Sequence, residues 1–142
     1  MIKVESSVTI NRPVETVFQY VTDADSSTKW QNGVEAVEYE GEQKVGSQYT
    51  EVRKFMGREM RTTLEITAME ANQLWAAKTL SGPVPYHVHV TFETVPEGTR
   101  MITVVEAEPK GFFKLAESAV KKQLESGMEE DNQTLKTLLE AD

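Results

Sequence analysis

The chain contains no cysteine, which excludes disulfides, thiolate metal sites and cysteine nucleophiles together. Positive charge is also scarce: 15 Lys and Arg stand against 23 Asp and Glu, a net charge of −8. That balance disfavours nucleic acid and anionic membrane surfaces as partners. Nowhere does an apolar run approach the ~18 residues that signal a bilayer-spanning helix, so no integral membrane association is expected. Met1 to Val8 lacks the charged-then-apolar layout of a signal peptide, and a cytoplasmic location is the default expectation. The glycines never cluster on a strand-to-helix turn, so phosphate-loop and dinucleotide fingerprints are missing. Nor is there an internal repeat, a linker or a low-complexity segment.

What remains is an ordinary globular composition, with 39% apolar and 27% charged residues in 142. It fits one domain over residues 1–142, as a monomer or homodimer. Lys3 to Ile10 alternates, with Val4, Ser6, Val8 and Ile10 on one side, the pattern of a strand with one buried face. Pro13 to Val21 carries Val14, Val17, Phe18 and Val21 at helical spacing. The polar stretch Asp23 to Lys29 predicts a second helical turn or a loop ending at Trp30. Six further strands follow, over 34–40, 47–56, 58–69, 74–80, 86–94 and 99–108. Between them lie turn signals at Gly41, Gly46, Gly57, Ser81-Gly82-Pro83 and Pro96-Glu97-Gly98. Met60, Thr62, Leu64, Ile66 and Ala68 are expected on one face of the long strand. Short connections make the pairing antiparallel.

Phe112 to Leu139 holds no proline and is rich in good helix formers. It predicts one long helix whose apolar stripe is Phe113, Val120, Leu124, Leu135 and Leu138. At 100° per residue, Gly127 and Asp131 point the same way as that stripe. A mid-helix glycine costs about 1 kcal/mol relative to alanine, and a buried carboxylate is costly unless paired. Two explanations stand open. Either the sheet comes close at Gly127 and Asp131 escapes to solvent, or the helix borders a partly polar cavity. In the second case Arg53, Arg61 or Arg100 can partner Asp131.

Several strings, in order, resemble the START/Bet v 1-like superfamily of polyketide-cyclase-like and lipid-transfer-like domains. They are NRPVETVFQYVTD at 11–23 followed by Trp30, VG at 45–46, EGTR at 97–100, and the C-terminal helix. The resemblance implies an α+β helix-grip fold. A curved antiparallel sheet of about seven strands wraps the long helix, with two short helices after the first strand and a cavity between sheet and helix. It also implies a hydrophobic small molecule as partner, with chemistry on that molecule in a minority of members.

The candidate site residues follow from strand and helix phase. Tyr49, Glu51, Arg53 and Phe55 share one face of their strand, and Thr50, Val52, Lys54 and Met56 the other. Two aromatics against Val52 and Met56 favour the first face as the inward one, while outward it would carry only solvated charges. Facing inward, Glu51 and Arg53 need each other or a ligand. Trp30, Trp75, Tyr86 and Phe92 join them as aromatic wall residues, and Gly127 and Asp131 face the same space from the helix. Tyr39 and Phe112 are further aromatic candidates, and the methionines, among them Met60, Met101 and Met128, suit an adaptable wall. His87 and His89 share a strand face opposite Tyr86, Val88, Val90 and Phe92, so they are expected outside, with no third ligand for a metal. No cofactor is called for. The expected function is binding or transport of a hydrophobic or amphipathic small molecule. One rival is a cyclase- or dehydratase-type enzyme with Asp131 or Glu51 as acid or base and Arg53 holding an anion or enolate. The other is a protein-interaction module without a ligand.

Overall fold

The computed structural model describes residues 1–141. Strand β1 (Ile2–Ile10) leads into helix α1 (Val14–Thr22), a 3₁₀ turn (Ala24–Ser26) and the four-residue α2 (Ser27–Trp30). A meander follows: β2 (Val34–Tyr39), β3 (Gln48–Phe55), β4 (Arg58–Glu70), β5 (Leu74–Ser81), β6 (Tyr86–Val95) and β7 (Gly98–Ala107). The chain closes with α3 (Phe112–Leu115) and α4 (Glu117–Glu140). The strands form one antiparallel sheet in the order β1-β7-β6-β5-β4-β3-β2. This is the α+β arrangement that the order of elements predicts, in the helix-grip form that the family resemblance implies.

Local chemistry explains the joints. Phe55 pairs with Arg58, leaving Met56 and Gly57 as a two-residue turn with φ of 53° and 77°. Two positive φ values belong to the type I′ turn, whose twist matches that of the flanking strands. At the β6–β7 hairpin, Gly98 has φ 134°, and a Cβ there would run into the Ile10 carbonyl oxygen. Its neighbour Thr99 is fully buried and donates from Oγ1 to the Arg12 carbonyl at 2.8 Å. Glycine and threonine together therefore lock the end of β1 against β7.

The interior is built from two apolar clusters. One gathers Val8, Ile10, Val17, Phe18, Trp30, Val90, Phe92, Met101 and Leu135, with Phe18 and Phe92 edge to face at 5.2 Å. The other gathers Ile2, Val4, Met60, Val84, Ala107, Phe113 and Val120.

Three sequence expectations need correction. The helix from Phe112 to Leu139 is not continuous: it breaks at Ala116, with φ −107° and ψ 28°. The break separates α3, which buries Phe113 against Phe55, from α4, which buries Val120 and Leu135 completely. Within α4 the stripe also ends differently from the expectation: Leu138 is exposed and Leu139 packs on the core in its place. Finally, β4 keeps its alternation only to Ile66. The pairing of Ile66 with Ala77 and Ala68 with Ala76 leaves a bulge, after which Met69, not Ala68, joins the first cluster. An extra residue bends a strand and increases its twist, which helps this long strand curve around the interior.

Candidate functional site

Because side chains alternate along a strand, the inner face of β3 presents Tyr49, Glu51, Arg53 and Phe55 together. Opposite them, β6 contributes Tyr86, Val88 and Val90, and α4 contributes Leu124, Met128 and Asp131. These surfaces do not meet. They leave a cavity of about 180 Å³ whose wall is mostly apolar. An apolar cavity of ~150 Å³ admits benzene, whereas drug-sized ligands occupy ~300–1,000 Å³. The described conformation therefore suits a ligand of one or two rings. Met60, Met101 and Met128 in the wall can shift to admit more.

Charge is concentrated in three side chains. Arg53 donates from Nε to Glu51 Oε1 at 2.9 Å and from Nη2 to Gln31 Oε1 at 2.9 Å. Glu51 is buried, so this ion pair is formed away from solvent and not on the surface. Asp131 accepts the backbone N–H of Asn32 on Oδ1 at 2.6 Å, and the neighbouring Glu130 accepts from Asn32 Nδ2 at 2.8 Å. The loop between α2 and β2 is thus clasped to α4. Burial pushes the Asp131 carboxyl up to about 6, against the pull of the Asn32 N–H and the Arg53 charge. Glu130 and Glu51 push in the same direction as burial. Tyr49 and Tyr86 are held well above the usual phenol range, chiefly by burial, so both keep their protons near neutrality.

Of the expected site residues, Trp30, Tyr49, Glu51, Arg53, Phe55, Trp75, Tyr86 and Asp131 line the cavity. Phe92 does not. It shares a strand face with Tyr86 but lies further along, where α1 covers the sheet and Phe18 meets its ring. Gly127 is also outside the lining, and a Cβ there would meet nothing within 4 Å. Close approach of the sheet therefore does not account for this glycine. Of the arginines weighed for Asp131, Arg61 and Arg100 pair with Glu38 and Glu93 at exposed positions, and only Arg53 shares the cavity. Tyr39 bonds Asp25 through its hydroxyl, and Phe112 is exposed with the Arg58 guanidinium over its ring at 3.9 Å.

Sequence reasoning missed Gln31, Gln43 and Asn132. Gln31 follows Trp30 directly, and Asn132 follows Asp131, so adjacency was a usable signal for both. Asn132 is buried and donates from Nδ2 to Ser6 Oγ at 2.7 Å. Gln43 lies in the loop between β2 and β3, where no periodicity marks it. Its Nε2 is buried without a hydrogen-bond partner among the described residues. His87 and His89 are exposed. Among the described residues, no three His, Asp or Glu side chains converge to hold a metal ion. No helix among them is long and apolar enough to cross a membrane.

No curated protein matches the chain. Among solved structures, TTHA0849 from Thermus thermophilus superposes with a TM-score of 0.81 at 20% identity, covering 97% of this chain and 95% of that one. A START superfamily protein from Mycobacterium smegmatis gives 0.80 at 16% identity, with 97% of each chain covered. Ara h 8.0201 gives 0.72 at 14% identity, with 96% of each covered. At such identities the likeness is one of fold. The sequence itself carries more, since the profile of one family matches residues 1–140, nearly end to end. This chain belongs to the family described as polyketide cyclase / dehydrase and lipid transport.

Proposed function

We propose that this protein binds a small hydrophobic or amphipathic molecule between the sheet and α4, with the apolar body against the wall and a polar end at Tyr49, Tyr86 and Arg53. The observation that carries this reading is the cavity: a well-packed domain leaves few voids larger than a water molecule, and this one holds about 180 Å³. Membership in a family described by cyclase, dehydrase and lipid-transport functions supports the same reading. Native mass spectrometry of freshly purified protein tests it. A co-purified small molecule that is lost on denaturation is the expected result. Failure to retain or take up any apolar molecule, with the fold intact, would remove the reading.

A second reading, enzymatic, is favoured by one observation. Asp131 lines the cavity with its carboxyl pushed up to about 6, near the range in which a general base works best, and Arg53 stands in the same space. In that role Asp131 removes a proton beside a carbonyl and Arg53 stabilises the enolate. Deuterium exchange at the α-carbon of a bound ketone, followed by NMR, distinguishes the two. A carrier leaves the exchange rate at its solution value. An enzyme raises it, and Asp131→Asn returns it to background.

A further inference from the structure

A half-buried arginine in an apolar cavity invites a carboxylate, such as the head of a fatty acid. The surroundings of Arg53 argue against one. Its Nε is already bound to Glu51 and its Nη2 to Gln31. The remaining charged group in the lining is Asp131, a second carboxylate. One cation therefore stands among two carboxylates, and the cavity carries no surplus positive charge above about pH 6, where Asp131 is ionised. A ligand carboxylate would lose its hydration and gain a single partner shared with two competitors of its own sign. Like charges brought together away from water are a means of rejection.

The uncharged polar groups lead the other way. Tyr49 and Tyr86 line the cavity, and their hydroxyls form no hydrogen bond among the described residues. Gln43 lines it too, with Nε2 buried and unpaired. Each can donate a hydrogen bond into the cavity, and for the buried Gln43 amide a donor left without an acceptor is unfavourable. An acceptor on the ligand, free of net charge, would satisfy them.

Resting on the carrier reading above, we infer that the cavity selects uncharged ligands bearing a hydrogen-bond acceptor, of the aryl ketone, ester or phenol class, and rejects carboxylates. Glu51 and Asp131 supply the rejection, and Tyr49, Tyr86 and Gln43 supply the preference.

Three probes of one shape test this by NMR titration at about pH 8: para-cymene, para-methylacetophenone and para-methylbenzoate. They differ only in an isopropyl, an acetyl or a carboxylate group. The ketone is expected to bind at least about tenfold more tightly than the carboxylate, and more tightly than the hydrocarbon. In Glu51→Gln, which frees Arg53, the carboxylate gains and the gap narrows. Should that variant not fold, Asp131→Asn narrows the same gap by removing the other carboxylate. In Tyr49→Phe/Tyr86→Phe the ratio of ketone to hydrocarbon affinity falls toward one. A carboxylate that binds as well as the ketone, or a ketone no better than the hydrocarbon, overturns the inference and leaves the carrier reading standing. Failure of all three probes to bind overturns the carrier reading itself.

Discussion

The two halves of α4 do different work. Its C-terminal half is docked: Leu135 is fully buried, Asn132 bonds Ser6 Oγ, and Lys136 donates from Nζ to the Thr9 carbonyl at 2.7 Å. Its N-terminal half is anchored at Val120, and from there Leu124 and Met128 look onto the cavity. Asp131 stands at the junction, clasping Asn32. The helix is therefore held near its ends and spans a void in between. Burial is what stabilises such a helix, so its energy is concentrated where it touches β1. The span over the cavity is free to meet a ligand.

Truncating one leucine in each half gives the sharpest contrast. Leu135→Ala is expected to cost about 2–5 kcal/mol in urea melts, as for other fully buried leucines. Leu124→Ala borders space that is already empty and should cost only about 1–2 kcal/mol, since less packing is lost. It should also enlarge the cavity and change probe affinity. Equal costs at the two positions would erase the distinction between a docked and a spanning half.

The junction makes a smaller contribution, and of the opposite sign. The Asp131 carboxyl is pushed up from 3.8 to about 6 in the folded protein, so the folded state holds its proton more tightly than the unfolded one. Its contribution is most favourable below pH 3.8, declines as pH rises to about 6, and stays unfavourable above. Asp131→Asn keeps an acceptor for the Asn32 N–H and removes the charge. The variant is expected to be more stable than the parent at pH 7.5 by about 1 kcal/mol, allowing for partial exposure. Denaturant melts should show that advantage shrinking toward pH 4.5. A constant difference across that window would mean that the carboxyl does not titrate as described.

The smallest effect belongs to the span. Gly127 has open space where a Cβ would go, so Gly127→Ala should stabilise the protein by about 0.5–1 kcal/mol through helix propensity alone. Calorimetry that shows destabilisation would reveal a contact there that the fold as described lacks.

The sequence made the fold legible because its strands alternate and its turns carry glycine at the positions that need it, Gly57 and Gly98 above all. The inward face of β3 was only favoured by Tyr49 and Phe55, because Val52 and Met56 gave the opposite face an apolar claim as well. What periodicity did not reveal was where alternation stops mattering. Tyr86 and Phe92 share a face, yet one borders the cavity and the other lies under α1, a difference set by what packs above the strand. The break at Ala116 was hidden because Phe112 to Ala116 contains nothing hostile to a helix. The break accompanies the packing of Phe113 against Phe55, a tertiary contact that local propensity does not report. Gln43 carried no signal because loops have no period. Gly127 was marked correctly as a departure from the stripe, and of the two explanations left open for it, close approach of the sheet is the one that the open space beside it removes.

The seam between β1 and β7 has a consequence for how the protein is made. Ile2 pairs with Ala107 and Ile10 with Thr99, so the first strand of the chain finds its partner only after about a hundred residues more. At the usual pace of synthesis, about 5–20 residues per second, β1 waits on the order of 5–20 s without the strand it belongs beside. Contacts so distant along the chain also fold slowly, because the loop must close before the pairing rewards it. An apolar strand left open for that long is a template for wrong pairing. Lys3 and Glu5, set between Ile2, Val4 and Ser6 on the exposed side of β1, place charge on that waiting strand. The pattern first read as a half-buried face thus also guards the nascent chain until β7 arrives.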